Sequence, residues 1–284
     1  MEFRIRLLES HEDYLQAEAF QRTVWGFPDR EVNSLNELTV VQRIGGFVFG
    51  AYDAEGEMAG FCFGVPALKK GRVYHYSRML GVLPKYQDRG LGFKMKLHQR
   101  DLVLKQKLDL IRWTFDPLQS RNAFFNLEKL GVVIREYIEN IYGRSASTFN
   151  AGLETDRFVP EWHLRSPAVR AALRGRRVPV SLQEVIEGRP WEHALDAQPT
   201  ESGICVPETA RLNVKSPQVC VEIPPDIDRL KNLDMETAQA WRFETRKVFQ
   251  RLFQRGYVVT GCSTGIGDRR RRCFYLLERS RRGS

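Results

Sequence analysis

Residues Leu80–Gly92 read L-G-V-L-P-K-Y-Q-D-R-G-L-G, and this stretch decides how the rest of the chain is read. An apolar strand end, with Met79, Leu80 and Val82, runs into Pro84, which cannot extend a sheet ladder. Gln87, Asp88, Arg89, Gly90, Leu91 and Gly92 follow, and a long helical pattern begins behind them. Without Cβ atoms at positions 90 and 92, the backbone N–H groups are bare at a helix start. Unpaired donors and the positive end of the helix dipole together favour an anion there, and the arrangement suits a pyrophosphate.

Upstream, residues 3–8 alternate as a first strand. Ser10 with Asp13 predicts a helix cap with an acidic partner, and a helix to about Trp25 ends at Gly26 and Pro28. Residues 33–43 form a second, weaker helical piece. Residues 47–52 and 58–65 are apolar runs across Asp53-Ala54-Glu55-Gly56, a hairpin signature, and 73–82 is a long third run. After Gly90, a helix carries Phe93, Leu97, Leu104 and Leu108 on one face, with a Lys- and Gln-rich face suited to solvent. A buried-type strand over 109–115, a helix over 120–130 closed by Gly131, and strands over 132–137 and 158–164 complete this region. Strands alternating with helices imply a mixed sheet with helices on both faces.

From Ser166 the texture changes. Residues 168–174 form a short helix and 175–219 carry scattered Pro and Gly with little periodicity. A strand over 219–223, a strong helix over 237–255 with Trp241, Val248, Phe249, Leu252 and Phe253 on one stripe, and strands over 257–262 and 273–277 make a β-α-β-β block. Two domains are therefore expected, 1–165 and 166–284. The second vaguely echoes the block around Gly90 and is readable as a degenerate half-copy of it.

Composition sets the frame. The chain has 284 residues, 42% hydrophobic and 28% charged, as in a globular protein. It has no apolar run of membrane-spanning length and no signal-peptide pattern at its start, so a cytoplasmic protein without a membrane anchor is expected. Five scattered cysteines without a C-x-x-C pair are read as reduced thiols, and five histidines without ligand spacing give no metal site. Of the net charge of +9, residues 166–284 carry +7, with Arg269–Arg272, Arg279, Arg281 and Arg282 prominent. Such a cluster suits nucleic acid, but a solvated hairpin turn and tail is the simpler expectation, and a nucleic-acid partner is not expected.

Three phosphate-binding patterns compete for residues 87–92. A Walker loop needs G-x-x-x-x-G-K-[ST], which is absent. A dinucleotide fold needs three glycines after the first strand, and here two follow the fourth. The third pattern is L-x-V-x-P-x-x-Q-x-x-G-x-G, matched by Leu80, Val82, Pro84, Gln87, Gly90 and Gly92. It resembles the coenzyme A loop of the GNAT acyltransferase superfamily, and the strand order before it is similar as well. The run S-R-N-A-F-F-N-L-E-K-L-G-V at 120–132 resembles that superfamily's following helix at Ala123, Lys129 and Gly131. It departs from it at Ser120, where an Asn is usual, and at Leu127, where a Tyr often acts as general acid. The resemblance covers about residues 3–165, and the whole chain looks like a larger branch of the superfamily.

What the resemblance implies is a GNAT-like α/β (α+β) fold, with a mostly antiparallel twisted sheet, helices on both faces, and the smaller C-terminal β-α-β-β extension. It further implies an N-acyltransferase that moves an acyl group, acetyl first, from acyl-CoA to a primary amine of a small molecule such as an amino acid. Succinyl transfer to an amino acid and a non-catalytic CoA-binding regulatory role are the alternatives. Acetyl-CoA or another acyl-CoA is the expected co-substrate, and a homodimer is among the assemblies allowed. By the same resemblance, Leu80, Gly81, Val82, Gln87, Asp88, Arg89, Gly90, Leu91 and Gly92 bind the pantetheine and pyrophosphate, and Ser120 and Asn122 hydrogen-bond near the sulfur. Candidates for moving protons are His75, Ser77 and Glu136, with Tyr142 in place of the missing Tyr. Arg78, Arg121, Arg135 and Arg144 are candidates for an acceptor carboxylate, and Trp162 is a candidate for closing the acceptor side.

Overall fold

The structure is a computed structural model that describes residues 2–143, 152–187, 190–201 and 203–280. Arg144, Arg281 and Arg282, named above from the sequence, lie outside the described residues. Packing divides the chain into two units, one up to Trp113 and one from Thr114 onward. This division falls inside the family-like stretch rather than at residue 165.

In the first unit, strand β1 (Arg4–Leu7) leads into helix α1 (His11–Trp25). Ser10 and Asp13 form the expected capping box, and Gly26 closes the helix in the left-handed conformation. Asp13 is buried and also takes two 2.7 Å hydrogen bonds from Arg6 and one of 3.0 Å from Tyr52. Helix α2 (Leu35–Arg43) and strands β2 (Phe47–Tyr52), β3 (Met58–Lys69) and β4 (Arg72–Val82) follow, then helix α3 (Leu91–Lys105) and strand β5 (Leu110–Arg112). The strands lie in the order β1-β2-β3-β4-β5, antiparallel except for the parallel pair β4–β5. The turn between β2 and β3 is held by Asp53, whose side chain accepts from the Glu55 and Glu57 N–H groups.

The two faces of this sheet are covered by different helices. A Cβ on Gly60 would meet Met95 of α3, whereas one on Gly81 would meet Trp25 and Phe20 of α1. Gly60 and Gly81 belong to adjacent cross-strand pairs, so the helices lie on opposite faces. The β3–β4 register slips between Phe63 and Gly64, leaving Arg78 as an extra residue opposite no partner. The bulge reverses the alternation along β4. Ser77 bonds to α3, while Met79, two residues on, accepts from Asn33 beside α1.

The second unit contains helix α4 (Ser120–Phe124), strands β6 (Val133–Ile138) and β7 (Arg157–His163), and helices α5 (Pro167–Leu173) and α6 (Leu182–Ile186). It continues through β8 (Glu192–Leu195), β9 (Ala197–Pro199), β10 (Cys205–Pro207), β11 (Gln218–Ile223), α7 (Ile227–Leu233), α8 (Met235–Gln254), β12 (Tyr257–Gly267) and β13 (Arg270–Arg279). Its sheet runs β7-β6-β12-β13-β11-β8 and is antiparallel except for β11–β8, with β9 and β10 as a separate pair. The expected β-α-β-β block is present as β11, α8, β12 and β13.

Tyr275 packs against Phe249 of α8 at 5.4 Å, while its neighbours Phe274 and Leu276 join Val185 and Trp191 on the other face. A sheet covered on both sides explains the nearly continuous burial of β13 from Arg272 to Leu277. Its hairpin with β12 is longer than the sequence suggests, because Asp268 and Arg269 alone make the turn, both at positive φ. Two of the four clustered arginines are thereby drawn into the strand. Arg270 and Arg272 both bind the buried carboxylate of Glu222, at 2.8 and 2.7 Å.

Candidate active site

The loop after β4 is braced before it reaches the glycines. The Leu83 N–H donates to Ala59 of β3 at 2.9 Å, and the Gln87 side chain donates back to the Val82 carbonyl at 3.1 Å. Tyr86, buried, donates to Asp53, and Lys85 pairs with Glu57, so both ends of the β2–β3 turn anchor the loop. Asp88 (φ 60°) and Gly90 (φ 75°) take the left-handed conformation, and Gly90 begins α3. Only glycine adopts that conformation without cost.

The first turn of α3 has neither a side-chain cap nor an acidic residue. Those two features normally satisfy helix-start N–H groups. A Cβ on Gly90 would meet no protein atom within 4 Å, and one on Gly92 would only touch Val82 and Leu80 at 3.9 and 4.0 Å. The fold itself thus does not require glycine at 92. The bare backbone instead leaves room for a group outside the chain to approach the donors. The uncapped helix start beside Leu80 and Val82 therefore suits an anionic group such as a diphosphate.

Behind β4 lies a buried polar cluster that sequence reasoning only half found. His75 and Ser77 share a face, as alternation predicts, and both are buried. They meet Lys96 and Gln99 of α3, both buried, although a Lys- and Gln-rich helix face suits solvent. Lys96 donates to Ser77 and Gln99 at 3.0 Å each, and Gln99 Nε2 lies 3.1 Å from Ser77 Oγ and 3.4 Å from Cys62 Sγ. The ammonium also sits 4.0 Å from the centre of the Trp113 ring.

The buried stripe of α3 is Leu91, Met95, Gln99 and Val103 with Lys96 beside it, not Phe93, Leu97, Leu104 and Leu108, which are only partly covered. Ser77 and His75 offer α3 polar partners, and these favour Gln99 and Lys96 inside. The signal available in the sequence was the 3.6-residue spacing of 95, 99 and 103. Burial, and secondarily the Lys96 charge, pushes the His75 pKa down to about 3, so its imidazole is neutral at neutral pH. Burial likewise pulls Lys96 down to about 8.

The remaining sequence candidates lie in the second unit. Ser120, at the start of α4, gives its hydroxyl to the Pro225 carbonyl at 2.5 Å, while Asn122 is exposed. The helix widens after Phe124 into a π-helical turn over Phe125–Lys129, so Leu127 is entirely buried. Glu136 on β6 is partly buried. Tyr142 is 43% exposed, and its hydroxyl lies 3.4 Å from that of Thr114. Its turn is fixed by Asn140, whose side chain accepts from Thr155, and by the Tyr142 N–H donating to Thr155 at 2.9 Å. Trp162 is fully buried, and its indole donates to the Leu130 carbonyl at 2.9 Å. It is a core residue of β7 rather than a cover for a ligand. Arg135 pairs with Glu161 at 2.9 Å.

Among the described residues no cluster of side chains with metal-binding chemistry is present, and no helix is long and apolar enough to cross a membrane. No family model matches the chain, and no curated protein matches it. Solved structures do. The ribosomal-protein-S18-alanine N-acetyltransferase of Escherichia coli is 18% identical over 58% of this chain and 96% of its own, with a TM-score of 0.45. An acetyltransferase of the GNAT family from Streptococcus pneumoniae is 18% identical over 56% of this chain and 98% of its own, at 0.44. Arabidopsis thaliana NAA60, in complex with acetyl-CoA, is 11% identical over 57% of this chain and 99% of its own, at 0.46. These three solved structures are acetyltransferases, each matching little more than half of this chain.

Proposed function

We propose that the chain is a coenzyme A-dependent N-acyltransferase of the GNAT type, with acetyl-CoA as donor and a primary amine of a small molecule as acceptor. The observation that carries this reading is the loop at the start of α3, where Gly90 is left-handed, Gly92 has room for a Cβ, and the first turn is uncapped. The nucleotide-loop patterns are absent from the sequence, and the L-x-V-x-P-x-x-Q-x-x-G-x-G string is complete.

In this reading the diphosphate binds residues 87–92 and the pantetheine pairs with backbone at Leu80–Val82. The thioester carbonyl takes a strand N–H, which stabilises the oxyanion as it forms. The neutral amine attacks the carbonyl carbon, the C–N bond forms and the C–S bond breaks. The proton lost by the amine is balanced by the one taken up by the departing thiolate. His75 and Ser77 are enclosed against α3 by Lys96 and Gln99, which argues against their carrying the proton steps.

Residues 166–284 are read as an extension to a catalytic stretch of about 165 residues. Arg270 and Arg272 are held by Glu222, with Asp196 and Asp268 also beside Arg272, which argues against a nucleic-acid surface there.

Calorimetric titration of the pure protein with acetyl-CoA tests the proposal, followed by thiol release over a panel of amines with acetyl-CoA and succinyl-CoA. Binding abolished by Gly90→Glu, with the fold retained, is the expected result. Absence of acyl-CoA binding by the wild type overturns the reading, and binding without turnover favours the non-catalytic alternative.

A further inference from the structure

We infer that His193 is held as an imidazolium and clasps helix α6 to the β8–β9 corner of the second unit, and that the clasp opens when the ring loses a proton. The inference lies outside the acyl-transfer proposal and does not rest on it.

The two ring nitrogens face two acceptors. Nδ1 lies 2.6 Å from Asp196 Oδ1, and Nε2 lies 2.8 Å from the Val185 carbonyl oxygen. A carbonyl oxygen can only accept, and so can an ionised carboxylate. A neutral imidazole carries one N–H and one lone pair, so it satisfies one of these partners and repels the other. Both contacts together require both nitrogens to be protonated. Burial alone would raise the Asp196 pKa, but His193 and Arg211 hold it below the ordinary value, so the carboxylate is ionised.

The surrounding charges are accounted for. Arg211 lies 2.9 Å from the other Asp196 oxygen and also pairs with Glu208. Arg272 of β13 reaches Asp196 at 3.7 Å but is held closer by Glu222 of β11 and by Asp268, and Glu222 also takes Arg270. Glu192 of β8 accepts from the Lys215 and Ser216 N–H groups. On α6 and just beyond it, Glu184 turns back to Ser181 and Glu187 to Gln183. Cys220 of β11 is kept as a thiol by burial, and the Phe274 ring meets the imidazole edge-on. Burial alone would lower the His193 pKa. The Asp196 hydrogen bond and charge, with the Val185 carbonyl, outweigh burial and the opposing Arg272, and leave it above the ordinary 6.5.

The clasp has something to hold. Helix α6 spans only Leu182–Ile186, too short to persist alone. Ser181 and Glu184 cap its start, and the His193 bond to Val185 lies toward its carbonyl end, where a cation is favoured. Its Leu182 and Ile186 cover Gly265 and Gly267 of β12, and Val185 packs with Trp191, Phe274 and Leu276. On deprotonation the remaining N–H stays with the charged acceptor, Asp196. The Nε2 lone pair then faces the Val185 oxygen, and α6 loses its tie. Because the folded pKa is raised, this stabilisation is complete below about pH 6.5 and is lost as pH rises through the folded value.

The test is NMR of the ring nitrogens in the full chain labelled with 15N-histidine, titrated from acid to alkaline pH, with His193 assigned by His193→Gln. An unperturbed histidine is half protonated at about pH 6.5. Most molecules should there carry protons on both His193 nitrogens, and Nε2 should be the one that gives its proton up. Hydrogen–deuterium exchange, corrected for the intrinsic effect of pH, should show protection of the α6 amides falling about tenfold through the same titration. In His193→Gln that protection should not depend on pH. A midpoint at or below pH 6.5, proton loss from Nδ1, or α6 protection unchanged through the titration each overturns the inference. If His193→Gln does not fold, through-bond correlations assign the wild-type signal and the wild-type measurements decide.

Discussion

Lys96 offers the sharpest physical test of the first unit. Its ammonium is buried, and among the described residues no carboxylate lies within salt-bridge distance. Ser77, Gln99 and the Trp113 ring are its partners. Burial lowers its pKa from 10.5 to about 8. At about 1.4 kcal/mol per pKa unit, the charged form costs the fold about 3 kcal/mol. The unfolded chain holds this proton up to about pH 10.5 and the folded chain releases it near 8. Between those values the unfolded state binds more protons, so the Lys96 contribution makes stability rise with pH, whereas below pH 8 the full penalty applies.

Urea unfolding of the wild type and of Lys96→Met at a series of pH values isolates the effect. Groups such as Cys62, which burial pushes up to about 12, titrate in both proteins and largely cancel in the difference. At pH 7 the variant sheds the penalty but loses two hydrogen bonds, worth about 1 kcal/mol each, and a ring contact of similar size, so the two stabilities should nearly match. By pH 10.5 the wild type should lead by about 3 kcal/mol. A difference that changes by less than about 1 kcal/mol across that window refutes the buried, unpaired ammonium.

Other positions give independent checks. Gly92→Ala should fold with an unchanged melting temperature, because its Cβ meets only Val82 and Leu80 at ordinary contact distance, yet it should weaken acetyl-CoA measurably by calorimetry. Gly64→Ala places a Cβ 2.4 Å from His75 Nε2 and 2.5 Å from the Tyr76 carbonyl, and urea unfolding should show a loss of about 2–3 kcal/mol. Asp13→Asn should cost about 1–3 kcal/mol, since the partly exposed Arg6 loses its charged partner. The Arg6 hydrogen bond holds the Asp13 carboxyl well below the usual range. Its stabilisation is complete above about pH 4 and lost as pH falls toward the folded value, so the variant should lack the wild type's steepest acid-induced loss. Leu127→Tyr, which restores the superfamily's usual residue, should overpack a fully buried site by about 1–3 kcal/mol and leave any acyltransfer rate no higher.

Local chemistry was legible in the sequence wherever one residue type has one use. Ser10 with Asp13, the Asp53 turn and Gly90 each fold as their residue types require. Packing between distant segments was less legible. Arg270 and Arg272 read as part of a basic turn until Glu222, almost fifty residues away, is placed beside them. Arg242, which no apolar pattern marks for burial, is buried against Asp116, 126 residues away. The short strands β8, β9 and β10 have too few residues for any period to register. The π-helical turn after Phe124 leaves no periodic signature over so short a span, although it determines where Leu127 lies.

The bulge at Arg78 explains why alternation selected a plausible pair of proton carriers and still misjudged their setting. Period two places His75 and Ser77 together, which is correct, and extends that face to Met79 and Gly81, which is not. One extra residue puts Leu80 and Val82 on the α3 side, next to Gly92, and turns Met79 and Gly81 toward α1. His75 and Ser77 therefore share a face with the proposed coenzyme A contacts but lie farther back along β4, enclosed by Lys96 and Gln99. A neutral imidazole hemmed in beside an ammonium is a poor proton acceptor, because a second positive charge would have to form in the same low-dielectric space. Within the acyl-transfer reading, the pair's effect on the reaction is consequently indirect, through the shape and field of β4. Removing the His75 ring should change protein stability far more than the pH dependence of turnover. A pH–rate profile that lost its basic limb in His75→Gln would instead place His75 among the groups that carry the proton.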